Sequence, residues 1–141
     1  MDFTAPTPAL QPAFRMRIER GAALSVGTVA TGGERLYLPV TGGAFEGEGL
    51  RGRLAGGGET LLARADGVTM VEASYLIAFP GGMVARAFGS GYRTGGADFR
   101  GLRLPLYFEV AQDGALAALA TSAFIAAQGE DDDVMTIHRI I

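Results

Sequence analysis

The amino-acid sequence reads as an all-β chain whose strands close into an antiparallel up-and-down barrel, with at most one short helical turn. Three observations lead there. Glycine supplies 22 of 141 residues, roughly twice its usual share. Much of it stands in turn-type clusters at 32–33, 42–43, 56–58, 66–67, 81–82, 95–96 and 113–114, a recurrence that matches short strands joined by tight turns. The runs between those clusters alternate or are rich in β-branched and aromatic residues. Finally, about nine short strands must satisfy their edges, and a meander with tight turns does so most simply by closing on itself.

Residues 1–12 carry Pro6, Pro8 and Pro12, which exclude a helix and favour an extended arm, leaving 13–141 as one barrel domain. The arm has neither a basic start nor an apolar run of export-signal length, so a cytoplasmic protein is expected. In 14–19, Phe14, Met16 and Ile18 alternate with Arg15, Arg17 and Glu19, giving one buried and one charged face. Residues 47–52 spell G-x-G-x-x-G, but the glycines after them cannot sustain the helix a dinucleotide site needs, so the segment is expected to be a close-packed hairpin. Residues 68–79, 83–92, 102–111 and 134–141 are the longer strands. The Ala- and Leu-rich stretch 113–128 splits into a helical turn at 115–119 and a strand at 122–127. The acidic run 130–133 lacks the spacing and central glycine of a calcium loop and is expected to be a solvated turn that blunts the last strand's edge.

Composition removes much chemistry. All 12 basic residues are Arg, and Lys, Cys, Trp and Asn are absent, with one His, at 138. Schiff bases, thiolate nucleophiles, disulfides and iron–sulfur ligation are thereby excluded, and one imidazole cannot build a His-rich metal site. No metal and no cofactor is called for. A net charge of −3 and an acidic pI near 5.1 argue against nucleic acid, which needs a basic stripe. No apolar run approaches the roughly 18 residues that span a bilayer, so no membrane partner is expected.

Several strands carry mixed faces. Glu72 and Ser74 share one with Met70 and Leu76; Arg86 shares one with Val84, Phe88 and Tyr92; Glu109 shares one with Tyr107 and Arg103. Pointing inward, these residues would give a lumen the composition of a ligand pocket; pointing outward, they would be an ordinary solvated surface. Glu46, in the glycine-rich hairpin, reads either as a carboxylate base at the cavity mouth or as a turn acid. His138 is the one side chain that titrates near neutrality unperturbed, on an otherwise apolar face. Tyr75, among Val71, Ala73 and Ile77, reads as core with its hydroxyl at the edge. No G-x-S-x-G elbow surrounds any of the four serines.

The segment Leu38-Pro39-Val40-Thr41-Gly42-Gly43-Ala44-Phe45-Glu46-Gly47, with Gly49-Leu50-Arg51-Gly52, Gly57-Gly58, Asp66-Gly67-Val68, Glu72-Ala73-Ser74-Tyr75, Phe108-Glu109, Phe124-Ile125-Ala126 and Ile137-His138-Arg139-Ile140 after it, resembles domain-of-unknown-function family 3237 from residue 12 onward. The resemblance implies a lipocalin-like barrel with an internal cavity and no established general activity. This chain departs from the family's pattern at Glu72 (usually Asp), Ser74 (Arg), Arg86 (often aromatic) and His138 (often Tyr).

Three functions fit these readings. The first is a cofactor-independent acid–base isomerase, cyclase or lyase acting on a small apolar or aromatic metabolite. Glu46, Glu72 and His138 would be its catalytic groups, and Ser74, Arg86, Phe88, Tyr92, Tyr107 and Glu109 would contact substrate, with Arg86 or a Tyr stabilising an enolate. The second is a non-catalytic carrier using the same cavity. The third is a structural subunit, to which a plugged lumen would point. Apolar faces left over after a small lumen is filled lead to the expectation of a homo-oligomer.

Overall fold

The alternation in the first run becomes the strand β1 (Leu10–Arg20), with Phe14, Met16 and Ile18 buried and Arg15, Arg17 and Glu19 outside. The structure is a computed structural model and describes residues 4–94, 101–112, 114–128 and 133–141. The Gly95-Gly96 turn, Asp113 and most of the acidic run lie outside the described residues. The remaining elements are β2 (Leu24–Thr28), β3 (Glu34–Gly47), β4 (Leu50–Ala63), β5 (Thr69–Ala78), β6 (Val84–Thr94), β7 (Gly101–Glu109), a 3-10 turn (Ala117–Thr121), β8 (Phe124–Gln128) and β9 (Val134–Ile140).

Neighbouring strands pair antiparallel in the order β2-β3-β4-β5-β6-β7-β8-β9-β1, and β1 then pairs with β3. The result is a closed barrel of eight strands, with β2 lying beside β3 at Glu34 to Tyr37, beyond the stretch that β1 covers. Closure leaves few free edges, which is what a chain of short strands requires. The helical turn expected at 115–119 is the 3-10 turn, two residues later, and the strand expected at 122–127 is β8; Phe124 and Ala126, both buried, hold that strand in the wall.

Three expectations need correction. The sheet begins earlier than residue 13: the backbones of Ala9 and Ile141 exchange two hydrogen bonds of 2.8 Å each. The glycines at 42–43 and 56–58 are inside β3 and β4 and are not turns. Gly43 and Gly57 are needed there because strands in so small a barrel approach closely: a Cβ on Gly43 would fall 2.0 Å from the Arg17 carbonyl oxygen, and one on Gly57 2.0 Å from that of Ser74. Finally, the lumen is packed solid along much of its length by Phe14, Met16, Ile18, Phe45, Tyr75, Leu104, Leu106, Phe124, Met135 and Ile137. At the end where the β3–β4 hairpin turns, Phe14 stacks on Phe45 at 4.7 Å and Phe108 meets Phe124 edge-on at 5.1 Å. Glu48, at that hairpin's tip with φ 49°, pairs with Arg139 of β9, whose guanidinium lies 5.1 Å above the Phe124 ring.

Filling the lumen decides which faces look inward. On β5 these are Val71, Ala73, Tyr75 and Ile77, on β6 Ala85 and Ala87, and on β7 Leu102, Leu104, Leu106 and Phe108. The mixed faces that could have lined a lumen therefore form the barrel's outer surface.

Candidate functional site

Strand register, not lumen closure, brings the mixed-face residues together. Gly58, Ser74, Phe88 and Tyr107 stand in one row across β4 to β7, and Thr60, Glu72 and Ser90 form the row beside it. Adjacent rows and strands are about 5–7 Å apart, so side chains in these two rows share one surface. Between the partnered positions Phe88 with Tyr107 and Tyr92 with Arg103 stands Pro105, which has no N–H to donate to β6. Next to it on β6, Gly89 has no room for a side chain, since a Cβ would lie 1.9 Å from the Pro105 carbonyl oxygen.

The outcome is a groove of about 800 Å³ on the outside of the barrel. Gly57, Gly58, Ser74 and Gly89 supply its low floor, Phe88 and Tyr107 one side and Tyr37 the other. Tyr37 leans over Gly58, with its hydroxyl 2.4 Å from where a Cβ on that glycine would sit.

Arg86 is fixed on three sides. Its Nε donates to Ser74 Oγ at 2.9 Å and its Nη1 to Glu109 Oε1 at 2.6 Å. Its guanidinium carbon sits 4.2 Å from the Phe88 ring centroid, and Phe88 packs 6.1 Å from Tyr107. The Arg86 and Glu109 side chains are 40% and 62% exposed, so the pair orients the guanidinium more than it stabilises the fold. Glu72 also lines the groove, exposed, with no hydrogen-bond or ion-pair partner among the described residues.

Of the candidate residues, Glu72, Ser74, Arg86, Phe88, Tyr107 and Glu109 thus share one outer surface. Tyr92 lies beside it, against a smaller depression with Glu72 and Ser90. The other two are elsewhere. Glu46 lies away from the groove: it points outward at the hairpin end, lines a separate depression with Gly47, Gly49, Leu50 and Arg51, and lies 3.9 Å from Arg15, both well exposed. His138 points outward from β9, between Pro12 of β1 and Ile125 of β8. Neither lines the groove. Among the described residues, no three His, Asp or Glu side chains converge as metal ligands.

The interior holds a polar centre of its own, which sequence reasoning missed. Glu59 on β4 is 0% exposed and accepts a hydrogen bond of 3.0 Å from Arg20 Nη2 and one of 2.6 Å from the Tyr75 hydroxyl, while Arg20 Nε pairs with its other oxygen. The Tyr75 hydroxyl is therefore not at an edge but inside the barrel. Burial, joined by the Glu59 charge and hydrogen bond, pushes that phenol well above its usual pKa. Burial pulls the Arg20 guanidinium down, yet the Glu59 hydrogen bond and charge outweigh it, so its pKa stands above the usual value. A signal did exist: the alternation Phe14, Met16, Ile18 continues to Arg20, which puts Arg20 on the buried face.

Solved structures share this architecture across the whole chain. A conserved protein of unknown function from Rhodopseudomonas palustris has a TM-score of 0.84 at 23% identity, covering 97% of this chain and 100% of its own. A β-barrel-like protein from Acinetobacter baumannii gives 0.82 at 20%, covering 99% and 100%. A protein from Penicillium herquei described as an enzyme gives 0.81 at 19%, covering 99% of each chain. At these identities the likeness establishes the fold. No curated protein matches the chain. The family model described as "Protein of unknown function (DUF3237)" matches residues 8–138, and the chain belongs to that family.

Proposed function

We propose that this chain is a small-molecule-binding β-barrel that holds its ligand on the outside of the wall, in the groove across β4 to β7. The observation that carries this reading is the built geometry of that groove. Three aromatic side chains border a floor of glycine and serine, and a guanidinium is locked in place beside a carboxylate. Aromatic sides supply apolar contact at low entropic cost, and a few fixed polar groups orient the ligand. A packed lumen is what the structural-subunit reading expects, so ligand binding rests on the outer groove alone.

Ser74 lies in the middle of the floor, so a Ser74→Phe substitution fills the groove from below without touching the core. Fragments with apolar or aromatic bodies, screened against the full chain by saturation-transfer NMR, are expected to bind the parent and to lose binding to this variant, whose melting temperature stays near the parent's. Fragment binding that survives in Ser74→Phe would overturn the assignment.

Acid–base conversion at the same groove is the second reading, with Glu72 as base and no cofactor. It is favoured by the Penicillium herquei relative, which is described as an enzyme. Turnover of a bound fragment that stops on Glu72→Gln separates conversion from carriage.

A further inference from the structure

Resting on the outer-groove reading, the charge inventory of that site goes further. Arg86 is the positive side chain lining the groove, and Glu109 neutralises it through the 2.6 Å bond. Glu72 is then the charge left over, and no described residue balances it. An anionic ligand would meet a guanidinium whose charge Glu109 already offsets while approaching the unpaired carboxylate of Glu72, and that repulsion opposes binding. A cation meets no such cost.

The aromatic residues agree with that sign. Ring faces carry negative electrostatic potential and attract cations. The Phe88 ring already does so for Arg86, at 4.2 Å from its centroid. Tyr37 and Tyr107 border the same groove with their rings partly exposed. From Gly58, which Tyr37 covers, to Phe88 is two strand spacings, or about 10 Å. That is room for one ring or one branched group over Ser74, with Glu72 one row away.

We propose that the groove selects an organic cation, a primary or quaternary amine on a small apolar or aromatic body, with the ammonium directed to Glu72 and the body seated among Tyr37, Phe88 and Tyr107. In this arrangement Arg86 serves as a fixed neighbour of the ligand and not as its counter-charge, since Glu109 offsets the guanidinium and Ser74 holds its Nε.

Two probes of similar shape and opposite charge test the proposal: phenethylamine and 3-phenylpropanoate, titrated into the full ¹⁵N-labelled chain. The backbone amides of Gly57, Gly58, Ser74 and Gly89 report occupancy. Phenethylamine is expected to shift those amides and to bind about tenfold more weakly to Glu72→Gln, while 3-phenylpropanoate binds the parent about tenfold more weakly than the amine does. Equal or tighter binding of 3-phenylpropanoate at the same amides overturns the cation assignment and leaves the groove reading standing, as does amine binding that ignores Glu72→Gln. If neither probe moves those amides, the groove reading fails and this inference with it.

Discussion

Glu59 has no contact with water, and a carboxylate in that position is tolerated because both of its oxygens are engaged, by Arg20 from β1 and by Tyr75 from β5. An unpaired buried charge costs several kcal/mol. Removing the carboxylate with Glu59→Ala takes a buried counter-charge from Arg20, whose side chain is 14% exposed, and is expected to lower stability by roughly 3–5 kcal/mol in urea unfolding. Tyr75 makes the same cluster sensitive to alkali. Its folded pKa lies well above the usual value through burial and the Glu59 charge, whereas unfolded tyrosine ionises near about 10. Below that pH both states keep the phenolic proton and the contribution is complete. Above it the unfolded chain loses the proton first, so stability falls by up to about 1.4 kcal/mol per pH unit until the folded value is reached. Tyr75→Phe has no such proton to lose. Its unfolding free energy is therefore expected to drop less than the parent's between pH of about 9 and about 11. Equal drops in the two proteins would contradict the placement of the phenol.

Along a single strand, glycine does two jobs that look alike in sequence. In the β3–β4 hairpin, Gly47 partners Leu50 and the two residues between have positive φ, 49° at Glu48 and 78° at Gly49, the pattern of a type I′ turn. A Cβ on Gly49 would meet nothing within 4 Å, so Gly49→Ala costs only the left-handed backbone, about 1–2 kcal/mol. Gly57 also has positive φ, 112°, but a Cβ there would sit 2.0 Å from the Ser74 carbonyl oxygen and 3.0 Å from the Tyr75 Cα. The wall cannot yield at that point without moving Tyr75 off Glu59. Gly57→Ala should then destabilise clearly more than Gly49→Ala in thermal melts, and the reverse order would show that β4 and β5 are not so closely apposed. This ambiguity explains what was legible. Phe14, Met16 and Ile18 declared their buried face by period, and the turns at Asp66-Gly67 and Gly81-Gly82 declared themselves by residue type. The inner face of β6 did not, because Ala85, Ala87, Gly89 and Gly91 look less like a core than Arg86, Phe88 and Tyr92 do on the opposite side. The grouping of Glu72, Ser74, Arg86, Phe88, Tyr107 and Glu109 came from alternation alone, whereas which side of the wall they occupy depends on how large a lumen the other faces fill. Glu59 stayed hidden because its partners lie 39 and 16 residues away.

Taken whole, the barrel is a ring in which β1 is the closing member, paired to β9 on one side and to β3 on the other. Closure could be expected from a meander of short strands, but that β1 bypasses β2 to pair with β3 could not, since no local pattern marks it. Its consequence is that ladder order departs from chain order where β1 skips β2 to reach β3 and where β1 meets β9. There Ala9 and Ile141 exchange backbone hydrogen bonds of 2.8 Å, so joining them through a short linker adds a connection between strands that are already neighbours. The turn between β4 and β5 is the natural place to open the chain in return. It is held by local bonds, Arg64 N–H to the Val68 carbonyl at 2.9 Å and Gly67 N–H to that of Arg64 at 3.2 Å, and its tip carries an exposed Arg64 and Asp66 pair. A circular permutant beginning at Gly67 and ending at Asp66 keeps every strand ladder and the Arg20, Glu59 and Tyr75 cluster, while closing one loop and opening another of similar cost. It should give the parent's sheet-dominated circular dichroism and unfold within about 1 kcal/mol of it. A permutant cut between Gly57 and Gly58 splits β4 in mid-ladder and separates Glu59 from the half of the strand that pairs with Tyr75; it should not fold. If the Gly67 permutant fails as well, the stability of this barrel depends on the original chain order and not on the closed ring of ladders.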